Sequence, residues 1–141
     1  MKKVLWVILT LFIAIQFYPA GHNHTNPAVV AEPHWDSPQT RVLFQRACFD
    51  CHSNQTHWPW YSHVAPVSWL LARDINVGRS HLNFSEWNKP QRHAKDIAHQ
   101  VSTGAMPLWF YLPMHPKAHL TAAEKQELIA GAAKTFGPQK P

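Results

Sequence analysis

Cys48 and Cys51 are the only two cysteines of this 141-residue chain, set three positions apart in the run Cys48-Phe49-Asp50-Cys51-His52. On a helical turn, residues i and i+3 are neighbours, so both thiols point the same way. They can then add to the two vinyl groups on one edge of a haem. His52 follows Cys48 at i+4, where its imidazole can turn beneath the ring and ligate iron. This spacing is that of c-type haem attachment. Two other chemistries use cysteine pairs. A zinc site would need two more ligands, for which His57 and His63 are available, but the interval after Cys51 is far shorter than finger spacing. A redox dithiol needs a preceding strand and a βαβ pattern, whereas here the pair ends a helical stretch and runs into a loop. A Cys48–Cys51 disulfide would close a very short ring with little entropic gain.

A haem held by His52 leaves the sixth iron position to be filled. Met106 lies in Gly104-Ala105-Met106-Pro107, where an irregular loop begins. A thioether stabilises ferrous iron and raises the potential, which suits electron transfer. Met106 could instead simply fill core space, as Met often does. Met114, His115, His57 and His63 are rival ligands, and with 11 histidines in the chain no single one carries much weight. The aromatics Trp58, Trp60 and Tyr61 can wall a haem face while their N–H and O–H groups reach propionates or carbonyls. An ordinary aromatic core turn is the alternative. Trp69 and Trp87 read as core. His22 and His24 form a pair in a solvated stretch.

The elements positioning these groups read as helices. Ser37-Pro38 is an N-cap followed by proline in the first turn. Val42, Leu43, Phe44 and Ala47 then give an apolar helical face leading to Cys48. A second helix opens at Pro66, carries Val67, Trp69, Leu70, Leu71 and Ile75, and closes near Gly78. Asn83 to Trp87 reads as a capped turn into a third. Residues 91–103 carry Ala94, Ile97, Ala98 and Val101 at helical spacing, stopped by Gly104. Thr121-Ala122-Ala123-Glu124 is a capping box ahead of a Leu128, Ile129, Ala132 stripe. No alternating strand pattern and no internal repeat is present.

The chain begins Met1-Lys2-Lys3 and runs apolar from Val4 to Phe17, broken only by Thr10 and Gln16. Basic residues before a short apolar stretch mark a secretory signal or N-terminal anchor. At about 15 residues the stretch is short for a span, which wants roughly 17 to 25. Bulky Tyr18 disfavours cleavage after Ala20, so an uncleaved anchor is expected, with Lys2 and Lys3 cytoplasmic. The expected organisation is a signal anchor or signal peptide over 1–20, a tether over 21–37 and a haem-binding domain over 38–141. The body would then be exported to the periplasm, on the outer face of the inner membrane. Without Lys2 and Lys3 the 13 basic residues fall to 11 against 8 acidic, a net of +3. No basic cluster lies on one face, so nucleic acid is not indicated. A redox partner protein, acidic or membrane-bound, suits such a surface.

Beyond the haem motif, Ser53-Asn54-Gln55-Thr56, Trp58-Pro59-Trp60-Tyr61, Pro66-Val67-Ser68-Trp69, Asn83-Phe84-Ser85-Glu86-Trp87, Met106-Pro107 and His115-Pro116 follow in order. Over about Ser37 to Ala133 this order resembles the bacterial haem-binding domain family, small exported proteins with a cytochrome c-like site. The resemblance implies one covalent haem and an N-terminal membrane segment. Leu108 departs from it, because relatives often carry a second proline there.

The expected fold is all-α: a cytochrome c-like bundle of short helices around one covalent haem c, preceded by an N-terminal membrane helix. The expected role is electron carriage with His52 and Met106 as axial ligands, and no acid–base pair suggests an enzyme. A haem-based sensor or ligand-binding module with an open sixth position is the alternative.

Overall fold

The computed structural model describes residues 1–21 and 23–140; His22 and Pro141 lie outside the described residues, so the His22–His24 pairing cannot be placed. Six α-helices follow in order: α1 (Lys2–Gln16), α2 (Pro38–Ala47), α3 (Phe49–His52), α4 (Val67–His81), α5 (Ile97–Ser102) and α6 (Ala122–Phe136). Short 3-10 turns at Trp60–His63, Ala94–Asp96, Leu112–Met114 and Pro116–Ala118 join them. Among the described residues there is no strand, only an isolated parallel bridge between Ala31 and Glu86. The domain is all-α.

Local chemistry sets the starts of two helices that pack on each other, α2 and α6. Ser37 Oγ accepts from Thr40 N at 3.1 Å and Pro38 occupies the first turn of α2. Thr121 and Glu124 close a reciprocal capping box at α6, so both starts satisfy amides the helix itself leaves unpaired. α2 then buries Leu43, Phe44 and Ala47, and α6 buries Leu128, Gly131 and Ala132. The helices approach so closely that a Cβ at Gly131 would overlap the Thr40 side chain, 2.6 Å from Cγ2. Leu43, Phe44, Phe49, Phe84, Ile97, Val101 and Leu128 form the core with Trp87 and Phe136 packed on it. Burying each such side chain stabilises by about 1.5–3 kcal/mol.

Three helical expectations shift in the structure. α4 continues through Gly78 to His81. This glycine is not a stop: a Cβ there would fall on the Cys51 carbonyl, so its bareness lets α4 pack on α3. No helix follows Asn83. Its Oδ1 accepts from Ser85 N at 2.9 Å, a side-chain turn that competes with helix, and Phe84 drops into the core. The stretch 91–103 is a 3-10 turn followed by the six-residue α5, ended by Gly104 at φ 74°.

The expected membrane helix is not found. α1 holds 15 residues, about 22 Å at 1.5 Å per residue against a hydrocarbon core of about 30 Å. No helix among the described residues is long and apolar enough to cross a membrane. Pro19 disfavours helix at Tyr18, so the helix is not extended beyond the apolar run. Gln16 ends α1 by clamping Ala65, donating to its carbonyl at 3.1 Å and accepting from its amide at 2.9 Å.

The stretch 21–37, expected as a tether, is laid along the domain where it is described. Val30 N and Ala31 N donate to Ser85 O at 2.9 and 3.1 Å, and Trp87 N donates to Ala31 O at 2.9 Å. Asn54 Nδ2 donates to Ala28 O at 2.9 Å. Trp35 enters the core, its ring centroid 5.1 Å from Phe44 and 5.6 Å from Phe84. The segment lacks periodicity because it is extended and held by backbone and amide contacts rather than by a repeating face.

Candidate functional site

Cys48, Cys51 and His52 are carried by the break between α2 and α3. Cys48 ends α2, its amide donating to Phe44 O at 2.8 Å, and starts α3, its carbonyl accepting from His52 N at 2.9 Å. One helical turn therefore presents both thiols and the imidazole together. The thiols are free. Burial, with Cys51 beside it, pushes the Cys48 thiol up to about 12. Burial followed by the Asp50 and Asp74 carboxylates does the same to Cys51, again to about 12. A reactive redox dithiol needs the opposite, a lowered pKa in a positive setting.

His52 is oriented by the end of α4. Its Nδ1 lies 3.0 Å from Gly78 O and 3.1 Å from Leu82 O. Carbonyls only accept, so Nδ1 carries the hydrogen and Nε2 offers its lone pair. Burial lowers the His52 pKa and keeps the ring neutral, against the raising effect of the two carbonyls. A metal-binding histidine is held in this way, with the far nitrogen fixed by a carbonyl.

Two adjoining cavities, of about 300 and 220 Å³, open over these groups. Both are lined by Cys48, His52, His81 and Met106. The first continues inward over Phe44, Phe84, Ile97 and Val101. The second runs past Cys51, Leu108 and Tyr111. Together they form an apolar cleft of the size that takes a cofactor. Gly104 turns the chain out of α5 and Met106 N then donates to Gln100 O at 3.0 Å, which brings the Met106 loop to the cleft opposite no helix of its own.

A scan against protein-family models matches the haem-binding domain over residues 10–134. The chain belongs to that family. No curated protein and no solved structure matches it. Haem fits the cleft of this haem-binding domain on its own chemistry: two free thiols on one turn, a neutral imidazole with a directed lone pair, and an apolar cavity between that turn and a thioether.

The other residues read from sequence do not line these two cavities of the haem-binding domain. Neither Trp58, Trp60 nor Tyr61 lines the two cavities of the cleft. Pro59 leads into the 3-10 turn Trp60–His63. Trp58 stacks on His24 at 4.4 Å, Trp60 is 75% exposed, and Tyr61 Oη meets His115 Nε2 at 3.0 Å. Trp60, Tyr61, Met114 and His115 line a third cavity that shares Cys51 and Tyr111 with the second, His57 lines a fourth with Met114 and His115, and His63 packs edge-on against His24. Among the described residues no three His, Cys, Asp or Glu side chains are grouped to hold a metal ion, as a zinc site would require.

Sequence reading missed His81, Tyr111 and Asp50. His81 closes α4 and faces both cavities. Tyr111 Oη donates to Asp50 Oδ2 at 2.6 Å, and Asp50 Oδ1 accepts from His57 N at 3.0 Å. Burial, then the Asp50 charge, raises the Tyr111 pKa and keeps its hydroxyl a donor. Asp50 sits between the two cysteines, the one signal that was available in the sequence.

Proposed function

We propose that this chain is an exported monohaem c-type cytochrome that carries electrons. One observation carries the reading. Cys48, His52 and Met106 line both cavities of one cleft, with Cys51 on the second. Cys48 and Cys51 would hold haem by two thioethers, His52 Nε2 and the Met106 thioether would ligate its iron, and the bound group would supply a one-electron iron couple. Gly78 O and Leu82 O fix the imidazole and so its basicity as a ligand. Phe44, Phe84, Ile97 and Val101 keep water from the inner end of the cleft. A thioether ligand and a dry surround both favour the ferrous state and a high potential.

The Lys2-Lys3 start, the apolar α1 and the attachment chemistry of Cys48 and Cys51 support a periplasmic place against the inner membrane. α1 buries none of its residues in the domain, so its side chains are available to sit in that membrane without crossing it as a helix. The partner in this reading is a redox protein, acidic or membrane-bound.

Denaturing gel electrophoresis with haem staining, combined with intact mass, tests the assignment. A stain that survives denaturation and a mass raised by one haem are expected. Colourless protein, or haem extracted by acid solvent, overturns it.

A further inference from the structure

A third cavity, of about 320 Å³, shares Cys51, Asp74, Leu108 and Tyr111 with the outer part of the cleft. Most of its remaining wall is apolar, with Trp60, Leu70, Phe110 and Met114 all exposed at its rim. A concave apolar surface with a few convergent polar groups is the usual form of a small-molecule site. Val67 of the same rim lies two residues beyond Ala65, where Gln16 fixes the end of α1. The mouth therefore opens beside the segment that reaches toward lipid.

Polar groups converge on this apolar wall. His115 Nδ1 lies 2.8 Å from Tyr111 O, so it carries the hydrogen and Nε2 is left to accept. Tyr61 O–H donates to that Nε2 at 3.0 Å, which leaves lone pairs on Tyr61 Oη for a hydroxyl of a ligand. Asp74 supplies a second acceptor, and its paired cation, Arg73 Nη1, stands off at 3.8 Å. A flat apolar ring with two hydroxyls, able to surrender electrons beside Cys51, matches these walls.

We propose that this cavity binds a hydroquinone drawn from the membrane, with Tyr61 Oη and the Asp74 carboxylate accepting its hydroxyl hydrogens. This rests on the covalent haem reading above. Conversion of the ring to the quinone breaks two O–H bonds and releases two protons and two electrons. One proton passes to Tyr61 Oη as the Tyr61 proton moves to His115 Nε2, and the other to Asp74. The two electrons would leave one at a time to the ferric form of the haem that Cys48 and Cys51 would hold, the second to another molecule of the protein or after the redox partner had reoxidised the first.

Calorimetric titration of haem-loaded, ascorbate-reduced full-length protein with duroquinol tests this, because the ferrous protein binds without turnover. Saturable one-to-one binding is expected. Tyr61→Phe should weaken it about tenfold, one hydrogen bond's worth. Leu70→Trp, at the exposed rim, should weaken it at least as much by occupying the mouth while leaving the haem spectrum unchanged. Haem-stained protein that does not bind duroquinol, or binding unmoved by both substitutions, overturns the inference while leaving the haem reading intact. Colourless protein would fail both.

Discussion

Tyr111 and Asp50, both in the wall of the second cavity of the cleft, are joined by a hydrogen bond of 2.6 Å from Tyr111 Oη to Asp50 Oδ2. Asp50 lies between the two cysteines, and Tyr111 lies five residues beyond Met106. The bond thus fastens the Met106 loop to the turn that carries His52. Tyr111→Phe removes the donor and keeps the ring. A charge-assisted bond of this kind contributes about 1.5–3 kcal/mol. The substitution should lower stability to urea by about 2 kcal/mol and let carbon monoxide bind ferrous protein more readily. Unchanged carbon monoxide binding would show that the bond does not govern the loop.

Met106 itself is tested by two replacements. Met106→His should keep six-coordination and lower the potential, since imidazole stabilises ferrous iron less than thioether does. Met106→Ala should open the site and give high-spin or water-ligated iron. Covalent attachment through Cys48 and Cys51 should survive both. Retention of the near-infrared sulfur-to-iron band in Met106→Ala, with its loss in Met114→Ala, would transfer the role to Met114.

The α2–α6 crossing gives a packing prediction. Alanine is normally the better helix residue by about 1 kcal/mol, yet Gly131→Ala would press its Cβ into Thr40, whose Oγ1 is bonded to Ser37 at 3.0 Å. Overpacking at such a contact costs about 1–3 kcal/mol, so the net change should be destabilising. Urea unfolding of Gly131→Ala, alone and with Thr40→Ala, checks this. The double variant should recover most of the loss, and equal losses in both would place the cost elsewhere.

Acid sensitivity should come partly from Glu32. Hydrogen bonds from Arg41, at 2.8 Å to each carboxylate oxygen, hold its pKa down near 2 against the opposing effect of burial. A group whose folded pKa lies below its unfolded value of about 4.3 contributes stability above that value. The contribution, about 1–2 kcal/mol after solvent screening, should disappear as pH falls from about 5 to about 2. Glu32→Gln should therefore destabilise at pH 7 and make little difference at pH 2. Equal losses at both pH values would assign the effect to packing.

Legibility in the sequence followed the range of the interactions. Ser37 with Pro38, and Thr121 with Glu124, act within one turn, and both capped helices start where those residues place them. The five-residue haem motif likewise needs only one helical turn. Gly78 misled because its meaning depends on the Cys51 carbonyl 27 positions earlier, a contact no local pattern displays. Trp58, Trp60 and Tyr61 look like cofactor walls by type alone. Their direction is set by Pro59 and by the distant partners His24 and His115, while Tyr111, inconspicuous in sequence, stands at the cleft. The stretch 23–37 carried no periodicity to read because its contacts run to Ser85, Asn54 and Thr56 one residue at a time.

The two hydrogen bonds between Gln16 and Ala65 also bear on reach. A domain on a loose linker sweeps a volume that grows with linker length, and meets distant partners by searching it. Here α1 is pinned just ahead of α4, and residues 26–35 beyond it are bonded to the domain, which leaves a short tether. With α1 held in a membrane, the cleft would stay at one height and one attitude above the bilayer. Such a carrier is a fixed station rather than a shuttle: its donors and acceptors must come to it, and its rate of exchange is set by their lateral diffusion and not by its own.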